Sequence, residues 1–213
     1  MSSIIIFANG NYQDPKITRP LIRPGDFIIA ADGGARQALL LGIDPQIIIG
    51  DMDSLSRFEC DYFEQKNIEM LRYPAEKDQT DLELAVSYAV QSGASRITIL
   101  GALGDRLDQE IGNIALLSDP ALDHLDVRLD DGITEAFFIH QSAEIAGSID
   151  DTVSFIPWGS NVTGVTTEGL AYPLRGETLI PYRTRSVSNR MVSISAKVNL
   201  ESGLLLCIHI RKQ

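Results

Sequence analysis

Short apolar runs rich in isoleucine alternate with helix-like spacing through the first half of the chain. Residues 3–7, 27–30, 47–49, 68–71 and 97–100 are apolar runs, interrupted only by Ser3, Glu69 and Thr98, rather than alternating, the pattern of strands covered on both faces. Between them, residues 35–41, 61–66, 82–91 and 106–118 read as helices. The helix from Leu82 is the clearest, because Leu82, Ala85, Val86, Ala89 and Val90 recur at i, i+3, i+4, i+7 and i+8 and make one apolar stripe. Thr80 and Glu83 have the spacing of a capping box at its start, and Gly93 lies just past its end. Strand–helix alternation of this kind predicts an open α/β sheet with helices on its faces.

The texture changes after His124. Residues 126–129, 136–140, 152–157, 178–180, 191–198 and 204–210 are strand-like, separated by turn signals such as Asp131-Gly132 and Ser202-Gly203. Almost nothing there has helical spacing. The chain is therefore read as two domains: 1–124, an α/β unit with a mostly parallel sheet, and 125–213, an all-β sandwich-like unit.

At 213 residues with an apolar fraction of 44%, the chain can bury a core without disulfides or structural metals. A formal net charge of −11 argues against a sequence-independent grip on nucleic acid or an anionic membrane. A protein this acidic holds a polyphosphate only through local positive elements: a metal ion, a helix N-terminus, or a few placed Arg and Lys. Cys60 and Cys207 form no C-x-x-C and read as reduced thiols, with a single disulfide between them as the alternative. No run approaches the length of a membrane span, and no basic segment leads into an apolar one at the start, so a cytoplasmic location is expected. Without such a leader the sequon Asn161-Val162-Thr163 carries no weight. His124, His140 and His209 lack zinc-ligand spacing.

In open α/β sheets ligands bind beyond the carboxyl ends of the strands, so the loops after the first-half strands are where chemistry belongs. Four carry aspartates: Asp32 in Ala31-Asp32-Gly33-Gly34, Asp51 and Asp53 in Gly50-Asp51-Met52-Asp53-Ser54, Asp81 in Lys77-Asp78-Gln79-Thr80-Asp81, and Asp105 and Asp108 around Arg106. If residues 50–53 are extended, Asp51 and Asp53 project to one side and can share an ion. Two carboxylates about 4 Å apart repel by roughly 4 kcal/mol at an effective dielectric of 20, so several at one edge call for a cation. Oxygen-only ligands suit Mg²⁺. The competing reading makes each aspartate an ordinary turn former or helix cap. Lys77 and Arg106 are the cationic complements, each in a loop near a helix start where backbone N–H groups also bind phosphate. Arg106 also has a simpler use, a salt bridge to Asp105 or Asp108. Gly101 and Gly104 would let the backbone approach a polyphosphate. The chain has no G-x-x-x-x-G-K-[ST] loop and no G-x-G-x-x-G motif.

The four segments around Asp32, Asp51–Asp53, Lys77–Asp81 and Gly101–Asp108 resemble, in order, the motifs of the thiamine pyrophosphokinase family. So do Thr166-Thr167-Glu168-Gly169-Leu170-Ala171-Tyr172-Pro173-Leu174 and Ser186-Val187-Ser188-Asn189 in the second half. The resemblance implies a homodimer with its active site in a cleft between subunits, using ATP and Mg²⁺ to pyrophosphorylate thiamine. It places Asp32, Asp51, Asp53, Asp81 and Arg106 in the catalytic set, with Asp51, Asp53 and Asp81 on the metal. It implies substrate contacts from Lys77, Asp78, Thr80, Gly104, Asp108 and Gln109, and thiamine contacts from Tyr172, Ser188 and Asn189 of the partner subunit. Asp105 stands where many members have glycine, Gln109 where bacterial members often have histidine, Tyr172 where some have tryptophan, and Arg190 where bacterial members often have glutamate. A pyrophosphokinase acting on 6-hydroxymethyl-dihydropterin and a non-catalytic thiamine or nucleotide sensor are the two alternatives.

Overall fold

The computed structural model describes residues 2–10, 14–104 and 106–213, and the chain forms two compact units, Met1–Gly132 and Ile133–Gln213. In the first unit β1 (Ser2–Phe7), β2 (Phe27–Ala31), β3 (Ile47–Gly50), β4 (Glu69–Arg72), β5 (Ala94–Leu100) and β6 (Asp126–Asp130) pair in the order β6-β5-β1-β2-β3-β4. Every one of these pairings is parallel. The helices are α1 (Pro15–Thr18), α2 (Gly34–Leu40), α3 (Arg57–Gln65), α4 (Asp81–Gln91) and α5 (Leu107–Leu116).

The isoleucine runs explain the layering. Ile5, Phe7, Ile28, Ala30 and Ile48 form one cluster with Ala35 and Ala38 of α2 and Phe63 of α3. Alternation along each strand turns Ile4, Ile6, Ile29, Ile47 and Ile49, all at most 1% exposed, away from that cluster. Helix α4 packs on β1, β2, β3 and β5, burying Leu82, Leu84, Ala85, Val86 and Ala89. Its N-cap is Thr80, whose hydroxyl accepts from the Glu83 backbone N–H at 3.1 Å. The reciprocal half of the predicted capping box is missing, because the Glu83 carboxylate accepts from Gln79 Nε2 instead. A complete box opens α3, between Ser56 and Glu59.

Two sequence readings shift here. The strand at 126–129, assigned to the second domain on its β-rich surroundings, is β6 and pairs parallel with β5. The first unit accordingly runs to Gly132, beyond the predicted boundary at 124. The two cysteines are free thiols.

The second unit contains β7 (Thr134–Ile139), β8 (Ser142–Ala146), β9 (Thr152–Pro157), β10 (Val162–Glu168), β11 (Arg175–Leu179), β12 (Asn189–Arg190), β13 (Ser195–Asn199) and β14 (Leu205–Ile210). One antiparallel layer runs β12-β9-β14-β7 and the other β11-β10-β13-β8. Phe137, Ile139, Val153, Phe155 and Cys207 from the first layer share a core with Ile145, Val162, Val165, Ala196 and Val198 from the second, as a sandwich requires. β8 and β10 escape a reading by polarity. β8 has one buried apolar residue, Ile145. In β10 the register shifts between Val162 and Val165, which breaks the period of two.

Candidate active site

All parallel strands of the first unit present their carboxyl ends at one edge, where the loops after β1, β2, β3 and β5 meet the start of α4. Strands β1 to β4 proceed to one side of β1 while β5 and β6 lie on the other, so the order reverses between β1 and β5, where α/β sheets open a crevice. A cavity of about 560 Å³ lies at this edge. Its walls include Asn9 and Gly10 after β1, Asp32 after β2, Asp51, Asp53 and Ser54 after β3, Lys77, Gln79, Thr80 and Asp81 at the α4 start, and Leu103, Arg106, Gln109 and Asn113 around α5.

The carboxylates converge through unusual backbone. Asp32 has φ 45° and Met52 φ 67°, left-handed conformations that are uncommon outside glycine. Asp32 donates its N–H to Ile49 O at 2.9 Å and is 5% exposed. Its Oδ1 is shielded from solvent with no hydrogen-bond partner among the described residues. The loop after β3 is not extended, as the sequence reading assumed. The left-handed Met52 folds it back, so that the Asp53 N–H reaches Asp51 Oδ1 at 3.0 Å. The outcome is the same convergence by another route: oxygens of Asp32, Asp51 and Asp53 lie within 4.8 Å of one another. Gly50, at φ 152°, forms the floor between two carboxylates. A Cβ there would stand 3.0 Å from the Asp32 Cβ and 3.0 Å from Asp81 Oδ1.

Asp81 lies outside that trio of oxygens. The Lys77 ammonium is 3.0 Å from its Oδ1 and 3.7 Å from Asp51 Oδ2. Among the described residues Asp81 Oδ1 accepts no aligned hydrogen bond; at 3.0 Å between opposite charges, its contact with Lys77 is an ion pair. The two partners respond differently. Burial pushes the Asp81 carboxyl above the usual carboxylate range, and Lys77 only partly opposes this. Burial pulls the Lys77 ammonium down, but Asp81 and Asp51 more than reverse it, so its pKa is raised. Asp51 is held below the usual range, first by the Asp53 N–H and then, against burial, by Lys77.

Arg106 is the N-cap residue of α5, and its guanidinium grips Asp108 with two hydrogen bonds, 3.1 and 2.6 Å, while reaching the cavity wall. Asp108 lines a neighbouring cavity of about 420 Å³ that shares Thr80, Gln109 and Asn113 with the first. Asp78 and Gly104 are exposed and stand outside both linings, and Asp105 lies outside the described residues. In the second unit Asn189 clasps Tyr172: its Oδ1 accepts from Tyr172 N at 3.0 Å and its Nδ2 donates to Tyr172 O at 2.7 Å. Ser188, at φ 58°, donates its N–H to Ser154 Oγ at 2.9 Å.

Several site residues went unread in the sequence. Asn9 and Gly10 follow a strand like the aspartates do, and that position alone could have flagged them. Asn113, whose amide donates to Ala102 O at 2.9 Å, and Arg36, which donates to Ser54 O at 2.8 Å, carry no local signal. Oxygen donors alone, with the Asp32 oxygen unpartnered in their midst, fit a hard divalent cation such as Mg²⁺.

The first unit is thus a parallel α/β sheet whose strand ends gather carboxylates, Lys77 and Arg106 beside a helix start. Residues 18–129 match the family model described as thiamin pyrophosphokinase, catalytic domain, and residues 139–205 the model described as thiamin pyrophosphokinase, vitamin B1 binding domain. The chain belongs to the thiamine pyrophosphokinase family. The thiamine pyrophosphokinase of Bacillus subtilis is 31% identical over 183 residues, 84% of this chain and 85% of that protein. Thiamine pyrophosphokinase 2 of Arabidopsis thaliana is 28% identical over 95% of this chain and 85% of its own length. A crystal structure of the Bacillus subtilis protein superimposes with a TM-score of 0.89 at 27% identity, covering 100% of both chains.

Proposed function

We propose that this chain is an enzyme that transfers the pyrophosphoryl group of ATP to the hydroxyl of thiamine. The observation that carries this reading is the match of both halves to the two thiamin pyrophosphokinase domain models. The converging aspartates fall inside the catalytic match, while Tyr172, Ser188 and Asn189 fall inside the vitamin B1 binding match.

The thiamine hydroxyl oxygen attacks the β-phosphorus of ATP. A new O–P bond forms as the bond from β-phosphorus to the α,β-bridging oxygen breaks, AMP leaves, and the hydroxyl proton passes to a carboxylate. Positioning and charge neutralisation dominate such transfers. Asp51 and Asp53, joined by Asp32, would hold Mg²⁺, which when bound neutralises polyphosphate charge. Asp81 stands apart from that trio at the start of α4 on the cavity wall, and we assign the proton to its carboxylate. Arg106 swings from Asp108 to a phosphate oxygen. Thr80, Gln109 and Asp108, which line the two cavities, border the substrates; Asp78 and Gly104, exposed outside both linings, would meet them only from the rim.

On the thiamine side the Tyr172 ring, 66% exposed, stacks on a heteroaromatic ring. Asn189 acts by fixing Tyr172, since its amide already serves that backbone. Ser188 lies beside it. We place these three in the partner subunit of a homodimer, in the cytoplasm. Among the described residues, no helix is long and apolar enough to cross a membrane.

The deciding experiment incubates the protein with ATP, Mg²⁺ and a panel of acceptors and follows AMP and the diphosphate ester. Thiamine-dependent AMP release supports the reading. Release with 6-hydroxymethyl-dihydropterin alone, or binding with no AMP at all, overturns it. Sedimentation at micromolar concentration tests the dimer.

A further inference from the structure

The Lys77 ammonium has three protein oxygens around it. It donates to Pro74 O at 3.1 Å and faces Asp81 Oδ1 at 3.0 Å and Asp51 Oδ2 at 3.7 Å. An ammonium has three N–H donors; one is spent on the Pro74 carbonyl, and the two carboxylates hold the head by charge. The side chain is 15% exposed, against 66% for Arg106. Lys77 borders the cavity, yet its head lies against the carboxylate floor, 3.0 Å from Asp81 and 3.7 Å from Asp51.

Asp51 links the two charge systems. One of its oxygens accepts from the Asp53 N–H within the trio, while the other faces Lys77. The four carboxylates thus fall into two groups, the trio of Asp32, Asp51 and Asp53 that would hold a divalent cation and the pair of Asp51 and Asp81 facing Lys77, with Asp51 common to both. From this geometry we infer that Lys77 is the resident counter-cation of the carboxylate floor, a positioning residue that offsets part of the charge a divalent cation also offsets, and not a polyphosphate ligand. The inference rests on the proposed cation site of Asp32, Asp51 and Asp53, and it assigns Lys77 a different task from the one its sequence context suggested.

The consequence is antagonism between the lysine and the metal. Without the ammonium, four carboxylates repel at close quarters in the metal-free protein, and a divalent cation gains a more negative site. Two measurements need neither ATP nor thiamine. Unfolding in EDTA is compared for wild type, K77M and K77M/D81N, and the affinity for Mn²⁺ alone is read by electron paramagnetic resonance. K77M is expected to unfold at lower temperature in EDTA, to recover more on adding Mn²⁺ than wild type does, and to bind Mn²⁺ roughly ten-fold more tightly, the scale of one partly screened unit charge. K77M/D81N is expected to regain metal-free stability, since the repelling charge goes with its partner.

An unchanged melting temperature and unchanged Mn²⁺ affinity in K77M, with weakened binding of metal-free ATP, would make Lys77 a phosphate ligand and overturn the inference. If K77M does not fold, K77M/D81N decides: a folded double variant supports charge balance, and an unfolded one overturns it. Because no turnover is measured, a protein that fails to pyrophosphorylate thiamine could still pass this test, and the converse also holds.

Discussion

Asp32 and Met52 show how much of this site depends on single backbone angles. Both take left-handed conformations without being glycine, which costs on the order of 1–3 kcal/mol each, and both do so where carboxylates must meet. Gly50 is the complementary case, since its missing Cβ leaves room for Asp32 and Asp81 at 3.0 Å. Replacing Gly50 by alanine should lower the melting temperature and weaken Mn²⁺ binding together, because any relief of the clash moves one of the two aspartates. Asp51→Asn and Asp53→Asn test the other side of the argument. Each should reduce AMP release by at least about a thousand-fold while circular dichroism and melting behaviour stay close to wild type; near-normal turnover in either would remove that residue from the catalytic set. The aspartates themselves were legible in the sequence, because each follows a strand or opens a helix. Their division between a lysine and a would-be cation was not. It depends on distances between loops some 30 residues apart, which no local pattern encodes, and the left-handed turn at Met52 replaced the extended segment that simple alternation suggested.

The helices around the site are tied to it by one guanidinium. Arg36 of α2 pairs with Glu59 of α3 at 2.5 Å through Nε and 2.9 Å through Nη2, and also donates to the Ser54 carbonyl in the aspartate loop. The same Glu59 completes the α3 capping box with Ser56. This network holds the Glu59 carboxyl at about 2, first through Arg36 and then, against burial, through Ser56. A carboxyl whose pKa falls on folding lends stability above its unfolded value and loses it as pH drops toward the folded one. Wild type should therefore lose stability between about pH 4.5 and 2 through this group, and Glu59→Gln should flatten that part of the curve while lowering stability at neutral pH. Arg36 is 42% exposed, so screening keeps the effect well below an unscreened pair. A chemical-denaturation series against pH reads both. Elements with strong periodicity were visible in advance, α4 and the isoleucine strands above all. The tie through Arg36 was not, since an arginine on a helix looks the same whether it meets solvent or a carboxylate 23 residues away.

The two compact units carry different kinds of electrostatics, and pH separates them. The first gathers charge at a cavity. The second hides it: His209 on β14 is fully buried, with Nε2 2.9 Å from Asp151 Oδ2 and Nδ1 3.4 Å from Glu135 Oε2. Burial pulls the imidazole down, yet Glu135 and Asp151 outweigh it even with Arg211 opposing, so its pKa is raised. That sign sets the window. A histidine with a raised folded pKa gives its full contribution below the unfolded value near 6.5 and loses it as pH climbs through the folded value. The sandwich should thus be firmest in mild acid and weaken toward alkaline pH, opposite in direction to the Glu59 network. His209→Gln should remove the alkaline decline and lower stability at pH 6, where Asp151 would lose the imidazolium and Glu135 would keep Arg211 at 3.5 Å; a decline that persists unchanged in the variant would assign it to another group. The comparison should be run on the full chain without ligands. Binding of a cation at the first unit's aspartates, as proposed, would change stability by mass action and blur the titration of a histidine that belongs wholly to the second.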